Sequence, residues 1–251
     1  MENNNVTIVS AFMANVTAPK YLETNENYKK YTEHFIPLLQ ANVNKVIFID
    51  ITVADKYKLY ENHNTIIVPF VKESNYLYDH MHKITDFHLS TNNNEKDTIE
   101  FMLTICHKTE WIKQAIQLNY FQTEKFTWID FGIGHVFKNK CSTEEIVEKI
   151  NSLQYKNYEN VRIGGIWNIN YQFTGNIYKN VAWYFAGGVF GGSGEALIKF
   201  ADLMKEKCID IVTNKNTIMW EVNIWYLIWC ENRDLFNIYT CDHDNRIIDN
   251  Y

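Results

Sequence analysis

Residues 6–13 read VTIVSAFM, and this run of β-branched and other apolar residues predicts a buried strand. Residues 21–39, YLETNENYKKYTEHFIPLL, place their large apolar side chains near a helical spacing and predict a helix. A second strand is predicted for KVIFIDI at residues 45–51. Because strand, helix and strand in this order open a parallel sheet, the sequence predicts an α/β fold with a mostly parallel, Rossmann-like sheet flanked by helices.

The rest of the chain continues the alternation of strands and helices. We expect a surface loop in the Asn-rich residues 90–96, and no internal repeat is present. The further predicted elements are a strand at residues 65–70, a helix over 98–118 with Asp97 as its N-cap, a strand at 126–133, a helix with a capping box of Ser142 and Glu145, a strand at 182–190, a helix that begins near Ser193, and a helix over 217–229.

Length and charge limit the classes of function. The chain has 251 residues, which one hydrophobic core can support, so we expect a single domain over residues 1–251. Its formal net charge is −6, and no run of Lys and Arg exceeds two residues, so nucleic acid is not an expected partner. An acidic protein that binds a diphosphate needs local positive charge, from a divalent cation or from a few placed basic side chains.

The cysteines and the amino terminus indicate a cytoplasmic protein. The five cysteines include no Cys-x-x-Cys pair, which argues against a disulfide framework and a thiolate zinc site. The stretch MENNNVTIVS has neither the basic nor the apolar region of a signal peptide. The most apolar stretches are too short or too interrupted to cross a bilayer, so we expect at most a peripheral association with a membrane.

An acidic residue follows the predicted strand in FTWIDFGIGHV, residues 126–136. Ligands of open α/β sheets bind at the carboxyl ends of strands, and Gly132 and Gly134 let ligand atoms approach the backbone behind Asp130. The sequence therefore makes Asp130 a candidate ligand-binding residue, although the same carboxylate is also typical of a turn.

Half of the ten glycines lie in one stretch, WYFAGGVFGGSGEAL. Gly187 and Gly188 permit close approach of a ligand to the backbone, and Ser193 caps a helix whose amino end favours anions. The spacing fits neither a GxGxxG dinucleotide motif nor a Walker loop. A corner between a strand and a helix that needs small residues is an alternative explanation of the same glycines.

Two further acidic segments are candidates for chemistry. Glu221 lies in the apolar, aromatic segment IMWEVNIWYLIW, where an unpaired carboxylate is costly to bury unless it has a partner or a function. Near the end of the chain, Asp242, His243 and Asp244 form a cluster suited to a hard cation. A solvent-facing position for Glu221 and a solvated tail for the cluster remain alternatives.

Taken in order, these segments resemble the HtrL/YibB family of bacterial and viral proteins. The resemblance spans nearly the whole chain and is carried by TIVSAFM, YLETNENYKKY, KVIFID, the helix with Lys108 and Trp111, WIDFGIGHV, YFAGGVFGG and the late Asp-His pair. The same order is distantly similar to the retaining α-galactosyltransferase and blood-group transferase family. These resemblances imply a GT-A-type glycosyltransferase that moves a sugar from a nucleotide-diphosphate donor, expected to be a UDP-sugar, to a glycan or glycoconjugate acceptor with a divalent metal, Mn²⁺ or Mg²⁺.

The resemblance also implies roles for the matching residues. Ala11, Phe12 and Met13 would line the base and ribose, and Gly187 and Gly188 would border the donor sugar and acceptor. Asp130 would match the first acid of an Asp-x-Asp metal motif, Glu221 would match the acid beneath the anomeric carbon, and His243 would be a late metal or phosphate contact. Lys108 would meet a phosphate or donor hydroxyl unless it is an exposed helix lysine.

One departure from the transferase motif concerns the metal. Gly132 stands where the motif has its second aspartate, so waters, the diphosphate and His243 or Asp242 would have to complete the coordination shell. Two other functions therefore stay open. They are a non-catalytic GT-A-like module that binds a glycan or nucleotide, and a nucleotidyltransferase, although the first strand lacks the Gly-rich, basic phosphate loop expected of the latter.

Overall fold

A computed structural model of the protein describes residues 6–14, 33–91, 96–137 and 141–251. Its strands form one sheet of seven. They are β1 (Val6–Phe12), β2 (Lys45–Asp50), β3 (Thr65–Phe70), β4 (Lys125–Ile129), β5 (Val161–Gly165), β6 (Phe185–Ser193) and β7 (Phe236–Thr240).

The order of the strands in the sheet is β3-β2-β1-β4-β6-β5-β7. β1 pairs in parallel with β2 and β4, and β5 pairs in parallel with β7. β6 is antiparallel to both of its neighbours, β4 and β5. The amino end of β6 therefore lies at the edge of the sheet where β1 and β4 end, and residues from opposite strand termini meet there.

Helices cover both faces of the sheet. They are α1 (Ile36–Gln40), α2 (Ala54–Tyr57), α3 (Ile99–Cys106), α4 (Lys108–Leu118), α5 (Thr143–Ser152), α6 (Gly194–Lys215), α7 (Glu221–Glu231) and α8 (Arg246–Asp249).

Two hydrophobic clusters lie on the two faces of the sheet. The larger cluster joins α4, α6 and α7 to the sheet and includes Trp111, Phe190 and Trp225. The smaller cluster packs α1 and α5 against the other face, around Ile129 and Ile146. Because both faces are covered, every residue of β2 and β4 is buried, including the charged side chains of Lys45, Asp50 and Lys125 at the strand ends.

The α/β fold class with a mostly parallel sheet is confirmed. The strands predicted at residues 6–13, 45–51 and 65–70 are present within one residue of the predicted ends. Ser142 and Glu145 form the predicted capping box, and Ser193 caps α6 by accepting a hydrogen bond from the backbone N–H of Ala196. Residues 21–32 of the first predicted helix and 92–95 of the Asn-rich loop lie outside the described residues.

The helix predicted over residues 98–118 is two helices. It breaks at His107, whose ring is buried against Tyr76 and Trp111, and α4 begins at the next residue, Lys108. The predicted N-cap is also wrong, since the side chain of Thr98 accepts the N–H of Phe101 while the Asp97 carboxylate accepts a hydrogen bond from Thr91.

The strand predicted at residues 182–190 is shifted toward the carboxyl end and runs from Phe185 to Ser193. Two further predicted boundaries also differ from the structure. The helix predicted over residues 217–229 begins at Glu221, because Trp220 before it has an extended backbone with ψ of 138°. The strand predicted at residues 126–133 ends at Ile129, and the chain turns at Asp130 into a 3₁₀ helix, Ile133–Phe137. Both differences place an acidic side chain at the end of an element, where it faces a cavity instead of the interior of a helix or strand.

Candidate active site

A cavity of about 790 Å³ opens at the edge where β1 and β4 end and β6 begins. Asp242 and Asp244 of the late acidic cluster do not line this cavity and pair instead with Arg246, and Met13 does not line it either. Nine other residues predicted for the site do line the cavity. They are Ala11, Phe12, Lys108, Asp130, Gly132, Gly187, Gly188, Glu221 and His243. Met13 is 3% exposed and packs in the larger hydrophobic cluster.

The side chain of Lys108 is the centre of the site. Its Nζ lies 2.8 Å from Asp130 Oδ1 and 2.9 Å from Glu221 Oε1, and it donates a hydrogen bond of 3.1 Å to the carbonyl oxygen of Gly187. Lys108 is 7% exposed. The structure thus places Lys108 in a buried position between the two candidate acids, and not on the exposed face of a helix.

The charge of Lys108 is fixed by its partners. Burial alone lowers the pKa of this ammonium, but the carboxylates of Asp130 and Glu221 outweigh burial and raise the pKa above its ordinary value. Lys108 is therefore a permanent cation at physiological pH. With two carboxylates around it, the centre carries one net negative charge.

Asp130 is oriented by a residue that the sequence analysis did not single out. The indole Nε1 of Trp128 donates a hydrogen bond of 2.8 Å to Asp130 Oδ1. In an extended chain residues two apart face the same side, which brings this ring to the carboxylate. Trp128 stacks on Trp111 with ring centroids 6.0 Å apart, so the orienting indole is itself held. No described residue hydrogen-bonds to Oδ2 of Asp130, whose side chain is 31% exposed.

Gly187 and Gly188 bring bare backbone to the centre. A Cβ on Gly187 would lie 2.5 Å from Glu221 Oε1, so a larger residue would displace the carboxylate. Gly188 accepts a hydrogen bond of 2.9 Å from the backbone N–H of Asp130. Both glycines lie in β6, within the strand predicted at residues 182–190. Gly192 alone among the described glycines has a positive φ in the left-handed range, 154°.

Three histidines line the same cavity. The rings of His34 and His135 lie 6.3 Å apart, and the ring of His243 lies 4.7 Å from that of Trp183. Burial, with a smaller effect of His135, lowers the pKa of His34, and burial also lowers the pKa of His243. Neutral imidazoles are metal ligands and hydrogen-bonding groups, so His243 keeps the chemistry that its predicted contact needs.

The described residues do not form a closed metal cage. No group of three or more His, Cys, Asp or Glu side chains within the described ranges is arranged to hold a metal ion. Asp130 and His243 line the cavity, and Gly132 offers no side chain where a second carboxylate was expected. These groups fit a hard cation that takes most of its other ligands from phosphate oxygens and water, as Mg²⁺ commonly does.

Sheet order and cavity together define a class of fold. A mostly parallel sheet with one antiparallel strand, flanked by helices and with a cavity at its carboxyl edge, is an open α/β fold of the kind that binds ligands at the ends of its strands. The chain belongs to the HtrL_YibB family, described as a bacterial protein of unknown function, whose family model matches residues 23–246. No curated protein matches the sequence significantly.

Solved structures with similar folds include three enzymes. Mouse xyloside xylosyltransferase 1 has a TM-score of 0.46 and 10% identity, with 94% of this chain and 85% of that chain covered. A glycosyltransferase involved in glycosylation of the major capsid of PBCV-1 has a TM-score of 0.43 and 12% identity, with 94% of this chain and 81% of that chain covered. The 4-diphosphocytidyl-2C-methyl-D-erythritol synthase from Anaerococcus prevotii has a TM-score of 0.44 and 10% identity, with 94% of this chain and 86% of that chain covered.

None of the described helices combines the length and the apolar character that crossing a bilayer requires.

Proposed function

We propose that the protein is a glycosyltransferase that moves a sugar from a UDP-linked donor to a glycan or glycoconjugate acceptor. The observation that carries this proposal is that Asp130 and Glu221 converge on the ammonium of Lys108 in a large open cavity. Its volume of about 790 Å³ suits a ligand of nucleotide-sugar size, since small-molecule sites span roughly 300–1,000 Å³.

The order of the strands supports an assignment of residues to each part of the donor. Ala11 and Phe12, at the end of β1, line the cavity and would form the wall for the base and ribose. Asp130 and Gly132, which follow β4, would lie beside the diphosphate, and Gly187 and Gly188 would border the sugar. Ligands of such sheets bind across the ends of neighbouring strands, so the donor would cross from β1 over β4 to β6.

The charge of the site favours a divalent cation with the donor. Asp130, Glu221 and Lys108 leave one net negative charge, and a diphosphate brings more, so the two repel without a further cation. We propose that Asp130 Oδ2 and His243 hold Mn²⁺ or Mg²⁺ together with the diphosphate. When bound, the cation would stabilise negative charge on the leaving group.

Glu221 is the proposed catalytic residue. Its Oε1 is held by Lys108, while its Oε2 is buried and has no hydrogen-bond partner among the described residues. A fixed carboxylate next to the donor sugar stabilises positive charge that develops at the anomeric carbon, or attacks that carbon, and either role is compatible with retention of configuration. Lys108 keeps Glu221 in place during this step.

The proposal is tested by hydrolysis of a panel of nucleotide sugars with Mn²⁺, using the wild-type protein and Glu221→Gln. We expect turnover of a UDP-sugar that falls roughly 10²- to 10³-fold in Glu221→Gln, because an amide does not stabilise the positive charge. Donor affinity should change little, since Glu221 acts on the transition state. Glu231→Gln, at the exposed end of the same helix, is the matched control.

The alternative functions give different results in hydrolysis, thermal-denaturation and pyrophosphate-release measurements. A protein that turns over no nucleotide sugar but is thermally stabilised by glycans or nucleotides would be a binding module. Release of pyrophosphate from a nucleoside triphosphate would indicate a nucleotidyltransferase. Equal turnover in Glu221→Gln and wild type would remove Glu221 from the mechanism.

A further inference from the structure

Three consecutive residues near the end of the chain, Asp242, His243 and Asp244, differ in whether they reach the cavity. Of the three, only His243 lines it. The His243 ring meets that of Trp183 edge-on, with 4.7 Å between the ring centroids and 89° between the ring planes. The side chains of Asp242 and Asp244 are 55% and 24% exposed. The segment therefore presents an imidazole to the cavity, and its two carboxylates lie outside the cavity.

Both carboxylates are bound by one side chain, the guanidinium of Arg246. Its Nε lies 3.0 Å from each carboxylate oxygen of Asp244, and its Nη2 donates to Asp244 Oδ2 at 2.8 Å. The same Nη2 donates to Asp242 Oδ2 at 3.3 Å. A planar guanidinium that binds a carboxylate through two donors fixes its orientation as well as its distance. Arg246 thus contacts the residue on either side of His243.

Each carboxylate also binds the backbone of the same segment. Asp242 Oδ1 accepts the N–H of His243 at 2.8 Å, and Asp244 Oδ1 accepts the N–H of Arg246 at 3.0 Å. Together with the guanidinium contacts, these bonds give all four carboxylate oxygens a partner. Either carboxylate would have to break at least one of these bonds before it could coordinate a cation.

Free carboxylates at this place would compete with His243 for a cation. Mg²⁺, Ca²⁺ and Mn²⁺ are suited to carboxylate oxygen, whereas imidazole is a ligand of transition metals. The two carboxylates also carry a charge of −2, of which Arg246 cancels one, so the segment keeps −1 beside a cavity that would hold a diphosphate. Arg246 therefore bears both on the ligand that this segment offers and on how strongly the segment repels an anion.

On the basis of the proposed function, in which His243 contacts the cation, we propose that Arg246 is a positioning residue for the cation site. It withholds Asp242 and Asp244 from the cation, so that His243 is the ligand that this segment supplies. Arg246 does not line the cavity and acts only through its neighbours. Groups that orient a metal ligand without touching the metal commonly affect metal affinity by roughly 10- to 100-fold.

The test observes the ligands of Mn²⁺ directly, in the full chain with UDP. Pulsed electron paramagnetic resonance should show a coupling of Mn²⁺ to an imidazole nitrogen that His243→Gln removes. In Arg246→Gln this coupling should be lost, because Asp242 or Asp244 can then replace the imidazole. The ratio of the Kd for Mg²⁺ to the Kd for Mn²⁺, measured with UDP present, should fall about tenfold, since a carboxylate suits both cations and an imidazole suits Mn²⁺ better.

A triple variant separates the withholding of carboxylates from general damage to the segment. Arg246→Gln combined with Asp242→Asn and Asp244→Asn removes the competing carboxylates. The new amide oxygens can still accept the N–H groups of residues 243 and 246, which the two aspartates accept in the native protein. The nitrogen coupling of His243 should therefore return in the triple variant, whereas damage to the segment would leave it absent.

Arg233→Gln is the matched control, because Arg233 is an exposed arginine beyond the end of α7 and should keep the wild-type coupling and Kd ratio. A coupling that survives in Arg246→Gln, or that stays absent in the triple variant, would overturn the role of Arg246 and leave the proposed transferase intact. A wild-type protein without the His243 nitrogen coupling would overturn both the cation contact of His243 and the role of Arg246. Hydrolysis of a UDP-sugar that depends on Glu221 decides the transferase separately.

Discussion

Lys108 holds together two side chains that otherwise repel each other. Its ammonium is the cation placed between Asp130 and Glu221, and the side chain is 9% exposed, so little water screens the three charges. Removing one member of a buried ion pair leaves the remaining charge without compensation. Lys108 is therefore expected to matter for stability as well as for the position of Glu221.

Lys108→Met should lower the free energy of unfolding by about 3–5 kcal/mol, as measured by urea denaturation. Lys113→Met is the control on the same helix, because Lys113 pairs with the more exposed Asp202. Such a surface pair contributes about 1 kcal/mol or less. If Lys108→Met costs no more than the control, the two carboxylates do not depend on the ammonium.

His107, next to Lys108, makes stability depend on pH. Burial, with a smaller effect of the Lys205 charge, lowers the pKa of His107 to about 3. In the unfolded chain a histidine titrates near pH 6.5. Between these two values the unfolded chain binds a proton that the native protein does not, so native stability falls as the pH drops below 6.5 and stops falling from this cause near pH 3.

His107→Phe should reduce the slope of the free energy of unfolding against pH by about 1.4 kcal/mol per pH unit below pH 6.5. The measurement is the free energy of unfolding at several values from pH 7 to pH 4. Exposed His63→Phe serves as the control and should keep the wild-type slope. The slope left in His107→Phe would belong to other groups, including His34 and His243, whose lowered pKa values act in the same direction. An unchanged slope would contradict the assignment to His107.

At the scale of elements, α7 and the segment before β6 are joined by one side chain. Asn223 satisfies three backbone groups of residues 177–182, and no water can easily replace it because the residue is 1% exposed. Each orphaned backbone group costs free energy when its partner is removed. The position of Trp183 should therefore depend on Asn223.

Asn223→Ala should lower the free energy of unfolding by about 3 kcal/mol, counting roughly 1 kcal/mol for each of the three orphaned groups. Hydrogen exchange should rise at residues 177–183 before it rises elsewhere. Asn214→Ala, which removes an exposed hydrogen bond to Asp210 within α6, is the control. Uniform protection across residues 177–183 in the variant would show that other contacts fix this segment.

The elements with a strong local signal were predicted well. Runs of β-branched residues predicted β1, β2 and β3, and the capping box predicted the start of α5. Both signals depend only on residues close together in the sequence. β5 and β7 were not predicted, since each is only five residues long and β5 ends in two glycines. The break at His107 was also missed, because the residues around it keep a helical spacing on both sides.

For the whole molecule, the sign of its charge bears on how it binds an anionic donor. The chain carries a net charge of −6, and its proposed catalytic centre carries −1 from two carboxylates and one ammonium. A nucleotide diphosphate and a divalent cation should therefore bind better together than separately. This mutual dependence is a coupling free energy and is reciprocal.

Thermal denaturation should show the coupling directly. We expect Mn²⁺ alone and UDP alone to raise Tm little, and the two together to raise it more than the sum, since ligands that bind only the native state stabilise it. Asp130→Asn should remove the excess. Asp202→Asn, an exposed acid paired with Lys113, should keep it. Additive shifts in the wild-type protein would speak against a shared cation.

The candidate site was predicted in part, for a physical reason. Asp130, Gly187 and Glu221 could be found because an acid after an apolar strand, clustered glycine and an acid among aromatic residues are each unusual locally. Their convergence on Lys108 depends on the order of β4 and β6 in the sheet, which no local pattern records. Trp128, Trp183 and Trp220 were missed because tryptophans of the core and of a cavity wall look alike in a sequence.

The reversed direction of β6 has a consequence for how the site tolerates mutational change. The strand contributes main-chain atoms to the centre: the Gly187 carbonyl receives the ammonium of Lys108, and the Gly188 carbonyl receives the N–H of Asp130. These main-chain atoms are the same whichever amino acid occupies position 187 or 188. A substitution there can therefore alter this part of the site only by adding side-chain bulk. New specificities should therefore arise through the replaceable rings and polar groups of the surrounding walls.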